Sequence, residues 1–119
     1  MKVLALETPV PGVEPEAFTG VVLKEEATRV WELLQSGAIR EVYFRADRQS
    51  AVLMLECASV EEAGSALSTL PLVRYGLIAF DLVPLVPYPG VSRLFEAGWS
   101  AATGGSRKPR QGDAAETEG

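Results

Sequence analysis

The stretch Leu70–Gly90, LPLVRYGLIAFDLVPLVPYPG, is the most informative part of this sequence about its architecture. Its centre, residues 77–85, is apolar at both odd and even positions, and Asp81 is the single charged residue there. A strand with one face in water alternates apolar and polar residues, so this pattern predicts a strand that is covered on both faces. The rest of the chain has little apolar sequence left to cover the second face. We therefore expect a partner subunit to lie against it.

Three earlier segments have strand patterns. Residues 2–7 are short and largely apolar, and Pro9 follows them closely. Residues 39–46 alternate in polarity, and residues 51–57 are mostly apolar. The polar turn Asp47–Ser50 separates these two segments, which predicts that they pair as a hairpin.

Two segments have helical spacing. In the first, residues 15–36, apolar residues that include Trp31 recur every three or four positions, and Gly37 suits a C-terminal cap. Ser59 opens the second with the hydroxyl of a capping box, Ser-Val-Glu-Glu, and Pro71 marks its predicted end. We expect the apolar stripes of both helices, Trp31 included, to lie in the core.

The order of these elements is β-α-β-β-α-β, which predicts the α+β fold known as the ferredoxin-like plait. Both helices then cover one face of a four-stranded antiparallel sheet, and the other face stays bare. Two bare faces that lie together would bury the second side of the last strand, so we expect a homodimer. Residues 87–95 follow that strand and are predicted to form an arm that clasps the partner.

The composition is that of an acidic globular protein. The chain has 119 residues, of which 47% are hydrophobic and 23% charged, and its formal net charge is −5. Without a basic cluster it is not expected to bind nucleic acid, and no apolar run is long enough to predict a membrane span or a signal peptide. The lone Cys57 and the lack of histidine predict a cytoplasmic protein with a buried, unreactive thiol and neither metal nor cofactor.

The composition changes near the C-terminus. Residues 1–97 form the predicted α+β domain. Beyond Trp99 the sequence SAATGGSRKPRQGDAAETEG has almost no large apolar residue. Such a segment cannot offset the entropy of ordering, so residues 98–119 are predicted to be a disordered tail.

The sequence before and after the last predicted strand is similar to that of a known enzyme family. Leu-Pro-Leu at residues 70–72 precedes the last strand, and Val-Pro-Leu at residues 83–85 with Pro-Tyr-Pro-Gly at residues 87–90 closes it. Together with the order of elements over residues 1–95, these motifs resemble the muconolactone delta-isomerase family.

The resemblance implies both an architecture and an activity. It implies a dimeric α+β barrel, with larger rings of dimers in the isomerases. It also implies that a carbon–carbon double bond in a small anionic lactone is moved by proton abstraction and return. On the second strand, Arg40 and Tyr43 keep basic and aromatic character of the family, and Glu41 stands where a histidine is expected.

The hairpin suggests a candidate catalytic pair. If it turns tightly about Arg48 and Gln49, Glu41 lies directly opposite Glu56 on the neighbouring strand. In a dry cleft, two facing carboxylates repel, and one of them would keep its proton near neutral pH. A protonated and an ionised carboxyl group together can return and remove a proton. The same two residues also fit hydrated charges on an edge strand, which discourage aggregation.

The candidate substrate-binding residues are assigned to the same face of the sheet, inside the predicted barrel. In the tight hairpin Tyr43 lies opposite Met54, and Arg45 either neutralises the glutamate pair or binds an anion. Glu7 and Asp81 join this face if Val3, Ala5 and Val83 also point into the barrel. The candidates for substrate binding are Tyr43, Arg45, Glu7 and Met54.

Three functions fit the sequence. The first is an isomerase-like enzyme that acts without a cofactor on a small lactone or enolisable carboxylate, with Glu41 and Glu56 transferring the proton. The second is a non-catalytic module for small-molecule binding or oligomerisation. The third, which rests on fold analogy alone, is a cofactor-free monooxygenase.

Overall fold

The computed structural model describes residues 1–96. Residues 1–86 form one compact unit, and the chain from Pro87 belongs to a second unit. The first unit contains β1 (Lys2–Pro9), a 3-10 helix (Pro15–Ala17), α1 (Gly20–Ser36), β2 (Ile39–Phe44), β3 (Ala51–Glu56), α2 (Val60–Leu67), α3 (Pro71–Arg74) and β4 (Ile78–Leu85).

The strands form one antiparallel sheet in the order β2-β3-β1-β4. This confirms the predicted α+β fold, with the two middle strands β1 and β3 adjacent. On one face of the sheet, Val3 and Ala5 of β1 and Leu55 of β3 are completely buried. They form a core with residues of the helices, among them Leu33 and Leu67. The helices therefore cover this face, which we call the helix face, and the opposite one is the open face.

Helix α1 begins and ends at well-defined caps. The Thr19 side chain accepts a hydrogen bond from the N–H of Val22 at 3.2 Å, and the helix starts at Gly20. Capping by Thr19 satisfies a free amide of the first turn, which offsets the poor helix propensity of Gly20, Val21 and Val22. At the other end Gly37 has φ of 85°. The predicted glycine cap is confirmed, because this left-handed conformation is accessible to glycine without strain.

The second helical segment divides in two. Ser59 accepts a hydrogen bond from the N–H of Glu62 at 3.1 Å, and the Glu62 carboxylate accepts one from the N–H of Ala58 at 2.8 Å. The predicted cap is thus present, with the returning bond one residue earlier than in the standard box. The predicted end at Pro71 is wrong, since α2 ends at Leu67 and Pro71 begins α3. Proline lacks an N–H group and fits the first turn of a helix, where that group has no intrahelical partner.

The hairpin register differs from the tight turn that was predicted. Glu41 pairs with Met54, whereas Glu56 pairs with Lys2 of β1, so the two glutamates are not opposite each other. The connection is longer, closed by a bond from the N–H of Arg45 to the carbonyl of Ser50 at 2.9 Å. A bulge between Ile39 and Glu41 shifts the register once more at the far end of the hairpin.

The second unit contains a 3-10 helix, Pro89–Phe95. Val91, Leu94 and Phe95 are exposed along it. The clasping arm over residues 87–95 stays a prediction, and the predicted tail, residues 98–119, lies outside the described residues. Among the described residues, no helix is long and apolar enough to cross a bilayer.

Candidate ligand pocket

A pocket of about 420 Å³ lies on the helix face of the sheet, between α1 and the strands. It has fifteen lining residues, and thirteen of these are apolar, which is typical of small-molecule sites. The apolar ones are Leu23, Ala27, Val30, Trp31, Leu34, Val42, Phe44, Ala51, Leu53, Leu70, Leu72, Ile78 and Phe80. Glu7 and Glu26 complete the lining.

The pocket exists because α1 does not cover the edge strand. Val42 and Phe44 of β2 point toward the helix face, but 38% of Val42 and 65% of Phe44 are exposed. Trp31 of α1 is 61% exposed at the same pocket. The prediction that Trp31 lies in the core is therefore wrong. Trp31 and Phe44 are the exposed aromatic residues of this pocket, and they leave it open to solvent.

Glu26 brings a carboxylate into these apolar surroundings. It lies in the middle of α1, and its Oε1 atom accepts a hydrogen bond from the N–H of Leu72 at 2.9 Å. Burial raises the pKa of Glu26, and the nearby charge of Glu7 raises it further, while the bond from Leu72 partly opposes them. Glu26 is thus a stronger base than a solvated glutamate once it is ionised.

Glu7 supplies the second carboxylate from β1. Its Oε1 atom accepts a hydrogen bond from the N–H of Ala51 at 2.8 Å, and its carbonyl accepts one from the Ser50 hydroxyl at 3.1 Å. The bond from Ala51 fixes the Glu7 side chain against the start of β3, and the bond from Ser50 holds the Glu7 main chain there. Within residues 1–96, the other carboxylate oxygen, Oε2, of Glu7 and of Glu26 accepts no hydrogen bond from the protein. Neither Oε2 atom is therefore held by a protein donor in residues 1–96.

The predicted catalytic pair does not form. Glu56 binds the terminal amino group of Met1 at 2.8 Å and the Lys2 ammonium at 3.2 Å. These cations lower the pKa of Glu56, which is the opposite of what a carboxyl group that holds its proton requires. Glu41 instead accepts a hydrogen bond from the Tyr43 hydroxyl at 3.0 Å, and this bond raises the pKa of Tyr43.

The four predicted substrate-binding residues do not all lie together either. Arg45 makes two hydrogen bonds to the Asp47 carboxylate, at 2.9 and 2.6 Å, and lowers its pKa. Met54 and Tyr43 share the open face, as predicted from their parity. Glu7 does not join them, because it shares the helix face with the buried residues of β1.

The sequence did contain a signal for Glu26. The residues Leu23, Ala27 and Val30 form part of the apolar stripe of α1, and Glu26 falls at position i+3 from Leu23. A carboxylate within an apolar helical stripe is an exception to the pattern that such a stripe otherwise follows. In the same part of the chain, residues 1–96, no group of three or more His, Cys, Asp and Glu side chains could hold a metal ion.

Comparison with solved structures identifies the fold. No protein-family model matches the chain, and no curated protein sequence matches it significantly. The structure is similar to that of muconolactone isomerase, with 20% sequence identity, a TM-score of 0.62 and coverage of 75% of this chain and 92% of that one.

A second similar structure is 5-chloro-2-hydroxyhydroquinone dehydrochlorinase from Burkholderia phenoliruptrix AC1100, in complex with 2,5-dihydroxybenzoquinone. Its sequence identity is 18%, its TM-score is 0.51, and the match covers 72% of this chain and 94% of that one. The predicted order of elements is thus supported by the three-dimensional comparison. The chain has the fold of muconolactone isomerase.

Proposed function

We propose that this chain is a proton-transfer enzyme that shifts a double bond in a small enolisable compound, with Glu26 as the base. One observation carries the proposal: Glu26, a carboxylate with one oxygen that accepts no protein hydrogen bond, lies in a pocket that is apolar except for a second carboxylate, Glu7. The fold similarity to muconolactone isomerase supports the reaction class, but the residues in the pocket are this chain's own. Glu26 thereby replaces Glu41 and Glu56 as the candidate catalytic residue, and Glu7 lines the same pocket.

The chemistry requires one base that also returns the proton. Glu26 would remove a proton from the carbon next to a carbonyl group, leaving a dienolate. The protonated Glu26 would then give that proton to the γ-carbon, and the double bond would move into conjugation with the carbonyl group. A carboxyl group whose pKa is raised by burial suits both steps, because it is the stronger base when ionised and still an acid when protonated.

Proton NMR in D₂O tests the proposal directly. The protein is incubated with muconolactone and with uncharged β,γ-unsaturated γ-lactones, and deuterium uptake and double-bond migration are followed. We expect Glu26→Gln to lower the rate about 100-fold or more, as is typical when a general base is removed. Glu25→Gln, the same change at the exposed neighbouring residue, is the matched control and should leave the rate unchanged.

Two further variants separate this proposal from the earlier hypothesis. Glu41→Gln and Glu56→Gln alter the carboxylates on the open face and should leave the rate within about twofold, since neither residue lines the pocket. Loss of activity in Glu41→Gln with full activity in Glu26→Gln would contradict the assignment of the base.

The second candidate function is a non-catalytic binding module. The observation that favours it is that Glu7 and Glu26 each have one carboxylate oxygen held by a backbone amide, a structural role that needs no chemistry. Such a module would gain thermal stability from a ligand and return the ligand unchanged. A rise in Tm with neither deuterium uptake nor double-bond migration in any compound that binds would select this function.

We also propose that the chain forms a homodimer through the open face of the sheet. Large apolar residues lie there with half-exposed side chains, among them Leu4, Met54 and Val83. Contiguous apolar surface of this kind is rarely left in water by a monomer. The single buried Cys57 is in keeping with a reducing compartment, and the cytoplasm is the proposed location.

A further inference from the structure

The charge of the pocket restricts what it can bind. Within residues 1–96, its lining contains the carboxylates of Glu7 and Glu26 and no lysine or arginine. An anionic ligand would lose its hydration in apolar surroundings and would meet two like charges with no cation to compensate. An uncharged ligand meets neither penalty.

The size of the pocket sets a lower limit on the size of a ligand that would fill it. A cavity of about 150 Å³ is enough to hold benzene. The pocket of about 420 Å³ is nearly three times as large, so a single ring would leave most of it unfilled. Trp31 and Phe44 add exposed aromatic surface at the same pocket, against which a flat ring can stack.

We propose that the pocket selects an uncharged ligand of two or three fused rings, with its acidic C–H group at Glu26, and rejects the carboxylate of the same shape. The inference rests on the proposed function in placing the reaction at this pocket. Charge and size are independent properties of the lining, so each can be tested with its own pair of compounds.

Four probes separate ring number from charge. They are 2-acetylnaphthalene and acetophenone, which are uncharged ketones, and 2-naphthoate and benzoate, which are anions. Isothermal titration calorimetry at neutral pH should give a Kd for 2-acetylnaphthalene at least tenfold lower than that for acetophenone. The Kd for 2-naphthoate should be at least tenfold higher than that for 2-acetylnaphthalene, and benzoate should bind most weakly.

Variants show whether the pocket is responsible. Glu26→Gln removes one of the two charges, so the preference for 2-acetylnaphthalene over 2-naphthoate should shrink at least threefold. Glu25→Gln removes the same charge from the exposed neighbouring position and should leave that ratio unchanged. Ala27→Trp places a bulky side chain in the lining and should weaken the binding of 2-acetylnaphthalene at least tenfold. Circular dichroism establishes that each variant is folded.

Several results would overturn the proposal: equal or tighter binding of 2-naphthoate, equal binding of acetophenone, no binding of any probe, or no effect of Ala27→Trp in a folded protein. Deuterium uptake by the methyl group of 2-acetylnaphthalene is read separately in D₂O. Selective binding without deuterium uptake supports the proposed ligand class and contradicts the proposed enzymatic activity. Deuterium uptake together with tighter binding of the anions supports the proposed enzymatic activity and overturns the proposed ligand class.

Discussion

Glu26 shows how surroundings rather than residue type decide what a carboxylate does. The chain places Glu26 against apolar side chains and Glu56 against two cations, and the pKa values of the two groups move in opposite directions. Burial penalises the charged form of Glu26, whereas ion pairs favour the charged form of Glu56. The carboxylate suited to proton transfer is therefore the one in the pocket, although both residues are glutamates near the sheet.

The raised pKa of Glu26 predicts that Glu26→Gln increases the free energy of unfolding by an amount that depends on pH. Below the usual pKa of glutamate, Glu26 is protonated in both the folded and the unfolded protein. As the pH rises through the raised pKa, the charge must form in apolar surroundings, and the free energy of unfolding falls. Glutamine does not ionise, so the variant does not lose this stability. Its side-chain oxygen can still accept the hydrogen bond from the N–H of Leu72. Urea denaturation should show the variant gaining stability over the wild type as the pH rises above the usual glutamate pKa of about 4.3.

Glu56→Gln should behave in the opposite way. The pKa of Glu56 is lowered in the folded protein, so its ion pairs contribute stability above the usual pKa of glutamate. That contribution is lost as the pH falls through the lowered pKa. The variant should be less stable than the wild type near neutral pH and equal to it in strong acid. The difference is small, because these exposed charges are screened by solvent. The same sign of change for both variants would contradict the assigned surroundings.

At the scale of the element, α1 depends on its C-terminal glycine. Gly37 has φ of 85°, and a Cβ atom there would meet only Arg40, at an ordinary 3.9 Å. The cost of Gly37→Ala is therefore conformational, about 1–2 kcal/mol, and should lower the Tm by several degrees. Gly20→Ala, at the other end of the same helix, is the control. Its φ is not positive and its Cβ would lie in open space, so it should be neutral or slightly stabilising. Differential scanning calorimetry measures both variants.

The elements were predictable where local chemistry alone determines them. The strand patterns, the cap at Ser59 and the glycine at residue 37 each act over a few residues, and the structure has all of them. The end of α2 was not predictable from Pro71, because a proline suits both the residue after one helix and the first turn of the next. The hairpin register was missed because a longer turn and a bulge together determine it, and neither has a distinct signal in this sequence.

The candidate site was harder to predict than the fold for the same reason. The faces of the strands followed from parity, so the assignment of Tyr43 and Met54 to the open face was correct. The direct opposition of Glu41 and Glu56 needed the register, and it failed. Glu26 belongs to a helix whose distance from the sheet edge is a tertiary property, and the sequence therefore does not show that a pocket opens beside it.

For the whole molecule, we propose separate roles for the two faces of the sheet. The helix face contains the core and, beside the edge strand, the pocket. The open face contains the apolar residues that we propose to lie between two subunits. Because the lining residues come from the helix face, a substitution on the open face should change assembly and leave ligand binding intact. Assembly and ligand binding can then be measured separately in the same variant.

Val83→Glu tests the dimer. Val83 pairs with Leu4 on the open face and is 38% exposed in the single chain. In a dimer through this face, each copy would bury an unpaired carboxylate, at a cost of several kcal/mol per charge. Sedimentation velocity should give twice the chain mass of 12.7 kDa for the wild type and the single mass for Val83→Glu. Val21→Glu adds the same charge to α1, where the side chain is 72% exposed, and should remain dimeric. A monomeric wild type, or a dimer that survives Val83→Glu, would contradict an interface on the open face.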